Sequence, residues 1–457
     1  MRQLKIGTSG VRGVVGDAMT PELIVNFACA FGTYCDGGTV VVGRDTRPSS
    51  VMLHSAVLAA LISTGAQVID LGVCPTPAVS FGVRSAGAAG GISITGSHND
   101  ANWNALKFIG SEGALLNAAN SEELLDIYHA SAFLLAPWPG LRRPCETTEP
   151  VERYVAGLCR AVDSEVIRAR RFRVAVDFCN GAATAVGRRV LADLGCSLIP
   201  LNDDAGGSFA HAPAPSPDNM RQLAALMRSV DADLGAALNV DGDRIGFVTS
   251  DGTALSEELA LPLVARHIFR KRPGPVVTNL STSRMVELVA REHGRDCIRT
   301  MVGEGHVMDR ALTDRAAVAG EGNGGVGVLP DAPTFDALLT LATVLEAAAT
   351  EDCDFDALVS RAPRLFIRKA ELPCGPDSVY RALDMLRARY ADTRPDLSDG
   401  IRFDWPDAWL HIRASNTEPL LRVIAEADTE VRADQLFDQA LTTARRAVWA
   451  HGGRQGA

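Results

Sequence analysis

The chain has 457 residues, 47% of them hydrophobic and 22% charged, with a formal net charge of -10. That length exceeds one ordinary domain and fits three or four, each able to bury a core. The negative balance argues against nucleic acid or an anionic membrane surface as partner, so any phosphate site must be a local concentration of positive groups.

The N-terminus, MRQLKIGTSG, lacks the apolar core of a signal peptide, and no run reaches the ~20 apolar residues of a membrane span. A cytoplasmic protein is expected. The ten cysteines, from Cys29 to Cys374, show no CxxC spacing, which predicts buried free thiols. Four lysines stand against 41 arginines, which makes Lys107 a residue to follow.

In chain order, Thr20-Pro21-Glu22 opens a helix, Thr39 to Val42 reads as a buried strand, and Ser49 to Thr64 has helical periodicity. Ala66 to Leu71 and Gly91 to Thr95 are further strands. Such alternation predicts an α/β sheet covered by helices. Pro137, Pro139, Pro144 and Pro150 mark a linker that cannot sustain a helix. Beyond it come strand 172–178, helix 182–194, and strands 197–201 and 234–238. A third round starts at Ser256-Glu257-Glu258 with strand 276–280, helix 283–293 and strand 297–302. Strands 401–403, 409–413 and 421–425 and a closing helix 433–449 read as a small α+β unit. The expected division is 1–140, 150–255, 256–363 and 364–457.

Four polar loops follow apolar segments. Thr95-Gly96-Ser97-His98-Asn99 places a serine at a strand end, where α/β proteins put ligands, although a lone serine there is usually turn chemistry. Asn239-Val240-Asp241-Gly242-Asp243-Arg244 offers oxygen-bearing side chains at alternate positions, a hard set suited to Mg2+, or else a solvated acidic turn. Gly320-Glu321-Gly322-Asn323-Gly324-Gly325 can bring a carboxylate and an amide close to sugar hydroxyls, or be a plain turn. Arg413-Ala414-Ser415-Asn416-Thr417 gathers donors of the kind that phosphate requires, or makes a generic turn.

Together, in this order, the loops resemble those of the alpha-D-phosphohexomutases. The resemblance spans nearly the whole chain and includes Gly7 to Gly13, Gly43-Arg44-Asp45-Thr46-Arg47 and Asn104 to Lys107. It implies three related α/β domains with mixed, largely parallel sheets plus a smaller C-terminal α+β domain, around one cleft. It further implies a phosphate relayed through Ser97 between the C1 and C6 oxygens of a hexose, with Arg12, His98 and Lys107 beside it. On the same analogy Ser97, Asn239, Asp241 and Asp243 hold Mg2+, and Arg244, Glu304, His306, Glu321 and Asn323 line the sugar. Arg413, Ser415, Asn416 and Thr417 grip the phosphate that is not reacting, and Glu304 or His306 is the acid-base candidate. A hexose 1,6-bisphosphate is the expected activator, and a monomer or homodimer the expected assembly.

Four positions depart from the family pattern, one of them Val240, where glycine is usual. Asn239 stands where an aspartate is usual and is expected to ligate through its carbonyl oxygen, with weaker cation binding. Asp100 replaces a proline, and Gly325 a histidine seen in many bacterial members. The expected activity is of phosphomannomutase/phosphoglucomutase type. The alternatives are phosphoglucosamine mutase, a non-catalytic sugar-phosphate-binding paralogue, or a phosphatase that stops halfway.

Overall fold

The computed structural model describes residues 4–7, 10–206, 208–415 and 420–452, without the side chains of 376, 377 and 449–452. Four sheets organise these residues. The first has seven strands in the order Leu4–Gly7, Gly10–Val14, Trp103–Gly110, Gly90–Ile94, Thr39–Arg44, Gln67–Val73, Cys145–Glu146. Its Val-rich strand Thr39–Arg44 pairs in parallel on both sides, and Gly90–Ile94 returns antiparallel through Trp103–Gly110.

The second and third sheets repeat the centre of the first. Ile245–Val248, Leu234–Leu238, Arg173–Asp177 and Ser197–Leu201 form one; Val326–Val328, Val318–Gly320, Val276–Asn279 and Cys297–Thr300 form the other. In each, two parallel pairings carry a strand whose continuation folds back antiparallel at the edge. The fourth sheet, Phe366–Pro373, Leu420–Ala427, Ala408–Ala414 and Ile401–Asp404, is antiparallel throughout. This is the expected architecture of three related units and a smaller one. It also places the four polar loops alike: each joins two antiparallel neighbours, so every one is the turn of a hairpin.

Local chemistry sets the helix starts. Thr20 caps Pro21–Tyr34 by accepting from the Leu23 N–H at 3.3 Å, with Glu22 in the first turn. Asp336 caps Ala337–Thr350 through the Leu339 N–H at 2.9 Å. This helix is apolar nearly all round and is buried against Glu149–Ala161 and Ala260–Lys271. Leu338, Leu341 and Leu345 on it are 0–1% exposed, each contributing about 1.5–3 kcal/mol of burial. The core of the last unit is separate, built from Leu410, Ile412, Val423 and the helices Pro376–Arg389 and Glu430–Gly452.

The proline-rich stretch departs from the expectation of a linker that cannot sustain a helix. Cys145–Glu146 pairs in parallel with Gln67–Val73 as the edge of the first sheet. Pro150 lies inside the first turn of Glu149–Ala161, a position that needs no N–H donor and tolerates the ring.

Candidate active site

Ser97 sits in the hairpin turn after Gly90–Ile94 with a left-handed backbone, φ 49°, which costs a non-glycine residue about 1–2 kcal/mol. The turn is held by Arg47, which is fully buried. Its guanidinium donates to the carbonyls of Ser97 (2.8 Å), Asn99 (2.7 Å) and Trp103 (3.1 Å), and to that of Asp100. Its Nε pairs with Asp45 at 3.0 Å. A Cβ on Gly96 would stand 2.7 Å from the Arg47 guanidinium carbon, so the close approach requires glycine. Thr95 Oγ1 accepts from the Ser97 N–H at 2.9 Å, and Arg12 donates to Asn99 Oδ1 at 3.4 Å.

Against this turn lies the second one. Lys107 donates to Asp241 Oδ2 at 2.7 Å and Asp243 Oδ2 at 2.6 Å. Burial opposes the ammonium charge, but the two carboxylates outweigh it and hold its pKa above the ordinary lysine value. Thr76 Oγ1 also donates to Asp241 Oδ2, at 2.9 Å, and so pins the turn to the first unit.

Asn239, the expected carbonyl ligand, has both ends of its amide engaged within the site. Its Oδ1 accepts the backbone N–H groups of Asp243 (3.1 Å) and Arg244 (3.0 Å). Its Nδ2 donates to Asp243 Oδ1 (2.6 Å), Asp241 Oδ1 (2.9 Å) and Ser97 Oγ (3.3 Å). The reverse amide orientation would set NH2 against two N–H donors, so the network fixes this one. Two aspartates and the serine hydroxyl therefore remain as the oxygen set. It fits Mg2+ by chemistry, hard oxygens with charge, although no group of three or more His, Cys, Asp or Glu side chains is placed to hold a metal ion among the described residues.

The third turn hydrogen-bonds to the second. The Ile245 N–H donates to Gly324 O at 3.0 Å, and Arg244 bridges Gly325. Gly324 has φ +86°, and a Cβ there would stand 2.2 Å from Ile245 O. Glu321 Oε1 accepts from Asn279 Nδ2 (2.6 Å) and the Gly303 N–H (2.7 Å), while Oε2 accepts from Asn323 (2.9 Å). Glu304, at the head of helix Glu304–Thr313, accepts from Thr334 Oγ1 at 2.8 Å and the Phe335 N–H at 3.0 Å. Burial pushes its carboxyl up to about 7, with Lys107 pulling it down and Asp243 adding to the rise.

These turns open on one cavity of about 690 Å³ whose wall includes Ser97, Lys107, Arg244, Glu304, Glu321 and Arg413. Arg12, His98, Asp243, His306, Asn323 and Ser415 share that wall, whereas Asn239 and Asp241 are buried behind it. Asn416 and Thr417 lie outside the described residues. His98 keeps its pKa well below the usual histidine value, chiefly through Arg244, then burial, Arg12 and Lys107. Its Nδ1 has no hydrogen-bond partner among the described residues.

Sequence reasoning quoted Arg47 within Gly43-Arg44-Asp45-Thr46-Arg47 without giving it a task. It missed Asn279 and Lys369 altogether. Lys369 reaches across from the last unit to Glu258 at 2.8 Å, and Glu258 is pushed up to about 7 by burial despite that lysine. The signal available for Arg47 was a charged residue in the short segment between a buried strand and a helix; nothing marked the other two.

A serine on a strained turn beside paired carboxylates, on a cavity that arginines also line between three α/β units and an antiparallel fourth, is an arrangement suited to phosphoryl transfer. The chain matches all four domains of one family. They are phosphoglucomutase/phosphomannomutase alpha/beta/alpha domain I over residues 3–134, domain II over 152–252, domain III over 258–366, and the C-terminal domain over 377–442. This chain therefore belongs to the phosphoglucomutase/phosphomannomutase family, the alpha-D-phosphohexomutases. It is 33% identical over 451 residues to a probable phosphoglucosamine mutase of Methanopyrus kandleri, covering 97% of this chain and 98% of the relative. It is 31% identical over 443 residues to a phosphoglucomutase/phosphomannomutase of Thermococcus kodakarensis, covering 94% and 96%. Among solved structures, a phosphoglucomutase/phosphomannomutase family protein of Burkholderia thailandensis superposes with a TM-score of 0.82 at 26% identity, covering 99% of both chains.

Proposed function

We propose that this phosphohexomutase interconverts hexose 1-phosphate and hexose 6-phosphate by relaying a phosphoryl group through Ser97. The observation that carries the reading is the placement of Ser97 Oγ, 3.3 Å from the Asn239 amide that bridges Asp241 and Asp243, on a cavity walled on another side by Arg413. In the forward half-reaction the bond from phosphorus to Ser97 Oγ breaks and one to a free sugar hydroxyl oxygen forms. The hydroxyl proton leaves to a base in the cleft, and the serine oxygen is left to be rephosphorylated from the other end of the bisphosphate. A hexose 1,6-bisphosphate accordingly serves as intermediate and activator.

Asp241, Asp243 and the Ser97 oxygen would hold Mg2+, which when bound supplies positive charge to the transferring group. Lys107 and Arg12 add fixed positive charge beside Ser97, and neutral His98 offers a hydrogen-bonding imidazole there. Glu304, with a carboxyl near 7, suits proton exchange at neutral pH, and His306 lies on the same wall. Glu321, Asn323 and Arg244 bind sugar hydroxyls. Arg413 and Ser415, with Asn416 and Thr417 next in sequence, grip the far phosphate.

The unit boundaries 1–140, 150–255, 256–363 and 364–457 would give each unit one turn of the cleft. All ten cysteines are free, and burial pushes Cys35, Cys74 and Cys179 up to about 12, which supports a reducing, cytoplasmic location. No described helix is long and apolar enough to cross a membrane. A monomer or homodimer acting on phosphosugars completes the reading.

The name carried by the Methanopyrus relative favours glucosamine phosphate as a second substrate reading beside mannose and glucose phosphates. The test is phosphorus NMR of the protein with Mg2+, a trace of glucose 1,6-bisphosphate and each of the three hexose 1-phosphates. Conversion that disappears in Ser97→Ala upholds the reading and ranks the sugars. Binding without conversion, or steady release of inorganic phosphate, overturns it.

A further inference from the structure

The interface between the third and fourth units contains a closed circuit of hydrogen bonds that runs behind the cavity wall. Asp399 starts it. Its Oδ2 accepts the Val302 N–H at 2.9 Å, and the next amide along, that of Gly303, donates to Glu321 Oε1 at 2.7 Å. Glu321 Oε1 also accepts from Asn279 Nδ2 at 2.6 Å, and Asn279 Oδ1 accepts the Ser281 N–H at 2.7 Å. Ser281 Oγ meets His411 Nδ1 at 2.9 Å, and His411 Nε2 meets Asp399 O at 2.7 Å, closing the ring.

The tautomer follows from the partners. A carbonyl only accepts, so Nε2 carries the proton, and Nδ1 accepts from the serine hydroxyl. His411 is fully buried, and burial pushes its pKa down to about 4, which keeps the ring neutral and this pattern in place. Two consecutive backbone amides, Val302 and Gly303, are thus each held by a carboxylate from a different unit. Directly after them comes Glu304, at the start of helix Glu304–Thr313.

Asp399 has a second duty. Both its carboxylate oxygens accept from Arg413 Nε at 3.2 Å. One side chain therefore orients the guanidinium that faces the cavity and tethers the backbone that carries Glu304 and His306. The same ring ends on Glu321, which faces the sugar space.

Resting on the mutase reading above, we propose that Asp399 is a positioning residue. Through the ring closed by His411, Ser281 and Asn279, it locks the phosphate grip of Arg413, the sugar contact Glu321 and the Glu304 segment into one register. Seating of the far phosphate is thereby coupled to placement of the acid-base groups. Asp399 touches no reacting atom and acts through Arg413 and Val302.

The test uses the full-length chain with Asp399→Ala, Asp399→Asn and Ser281→Ala, assayed on whichever of the three hexose 1-phosphates the wild type converts best. Asp399→Ala is expected to raise KM about tenfold and to lower kcat about tenfold, because it loosens both the grip and the Glu304 segment. Asp399→Asn keeps an acceptor oxygen and should recover most of both losses. Ser281→Ala opens the ring away from Arg413 and should lower kcat with little change in KM.

A drop in melting temperature with KM and kcat unchanged would overturn the proposal, as would a rise in KM alone, which leaves Asp399 a mere support of Arg413. Should Asp399→Ala not fold, Asp399→Asn and Ser281→Ala decide: an unchanged kcat in Ser281→Ala sinks the coupling. If the wild type converts none of the three sugars, the mutase reading fails separately. The Asp399 claim then rests on calorimetric titration with glucose 6-phosphate read together with hydrogen exchange of the Val302 and Gly303 amides, surviving if Asp399→Ala both weakens binding and speeds that exchange and falling if either is unchanged.

Discussion

Asn239 presents its amide nitrogen to Asp243, with Nδ2 2.6 Å from Oδ1, while Lys107 Nζ stands 2.6 Å from Oδ2 of the same carboxylate. Every carboxylate oxygen of Asp241 and Asp243 thus already faces a donor, from Asn239 on one side and Lys107 on the other. Lys107 offsets one of the two carboxylate charges, and the Asn239 amide satisfies the remaining oxygens without adding charge.

Replacing Asn239 with Asp removes that donor and adds a third carboxylate. We expect Asn239→Asp to bind Mn2+ at least about tenfold more tightly, followed by the free-ion electron spin resonance signal. Without metal the variant should lose about 1–3 kcal/mol of stability, since like charges would be buried together. Equal Mn2+ affinity in the two proteins rules the idea out.

Arg47 concentrates the support of the Ser97 turn in one buried side chain. Arg47→Met leaves Asp45 buried without its cation and several carbonyls without a donor. Loss of about 3–5 kcal/mol is expected in urea unfolding. Arg47→Lys keeps the charge but not the planar fork, so it should retain part of the stability while losing most transfer to Ser97. Full activity in Arg47→Lys counts against this account.

The carboxyl of Asp336 is pushed up to about 6 by burial, against the cap hydrogen bond from Leu339 and the hydroxyl of Tyr154 at 2.8 Å. Its folded pKa lies above the unfolded value of 3.8. The stability it contributes is therefore fully present below pH about 4 and lost as pH rises through about 6. Asp336→Asn keeps the helix cap without the proton equilibrium. Relative to that variant, the wild type should lose on the order of 2 kcal/mol between pH 4 and 7, read from urea midpoints across the range. Parallel curves refute the assignment.

Glu304 is expected to set one limb of the pH dependence of kcat/KM near pH 7, in line with its raised carboxyl. Glu304→Gln should abolish that limb and cut the rate about 100-fold or more. If the limb persists and instead vanishes in His306→Gln, His306 is the proton carrier.

Much of this site is readable in the order of residues, because each cleft turn is a polar cluster directly after an apolar strand. What sequence could not show is how those turns meet. Lys107 and Asp241 are separated by 134 positions, and no periodicity links them. The orientation of the Asn239 amide depends on two backbone N–H groups, which a residue letter does not carry. Helix Ala337–Thr350 is buried on nearly every face, so it shows no amphipathic stripe to mark it. Pro150 read as a breaker because its position within the first turn was unknown. Asp399 falls in an ordinary polar segment, Leu397-Ser398-Asp399-Gly400, and only the juxtaposition with Val302 gives it work to do.

The hairpin placement of the four turns has an evolutionary consequence. A turn joining antiparallel neighbours can change length or composition while both strands keep their partners and the sheet its register. The turn between Val318–Gly320 and Val326–Val328 is constrained instead by its partners, because Gly324 O accepts the Ile245 N–H and Glu321 holds Asn279 and Gly303. On the proposed sugar-binding reading, selection for a new hexose would then act on this turn together with the contacts that hold it, and a graft meant to redirect the scaffold would have to carry both.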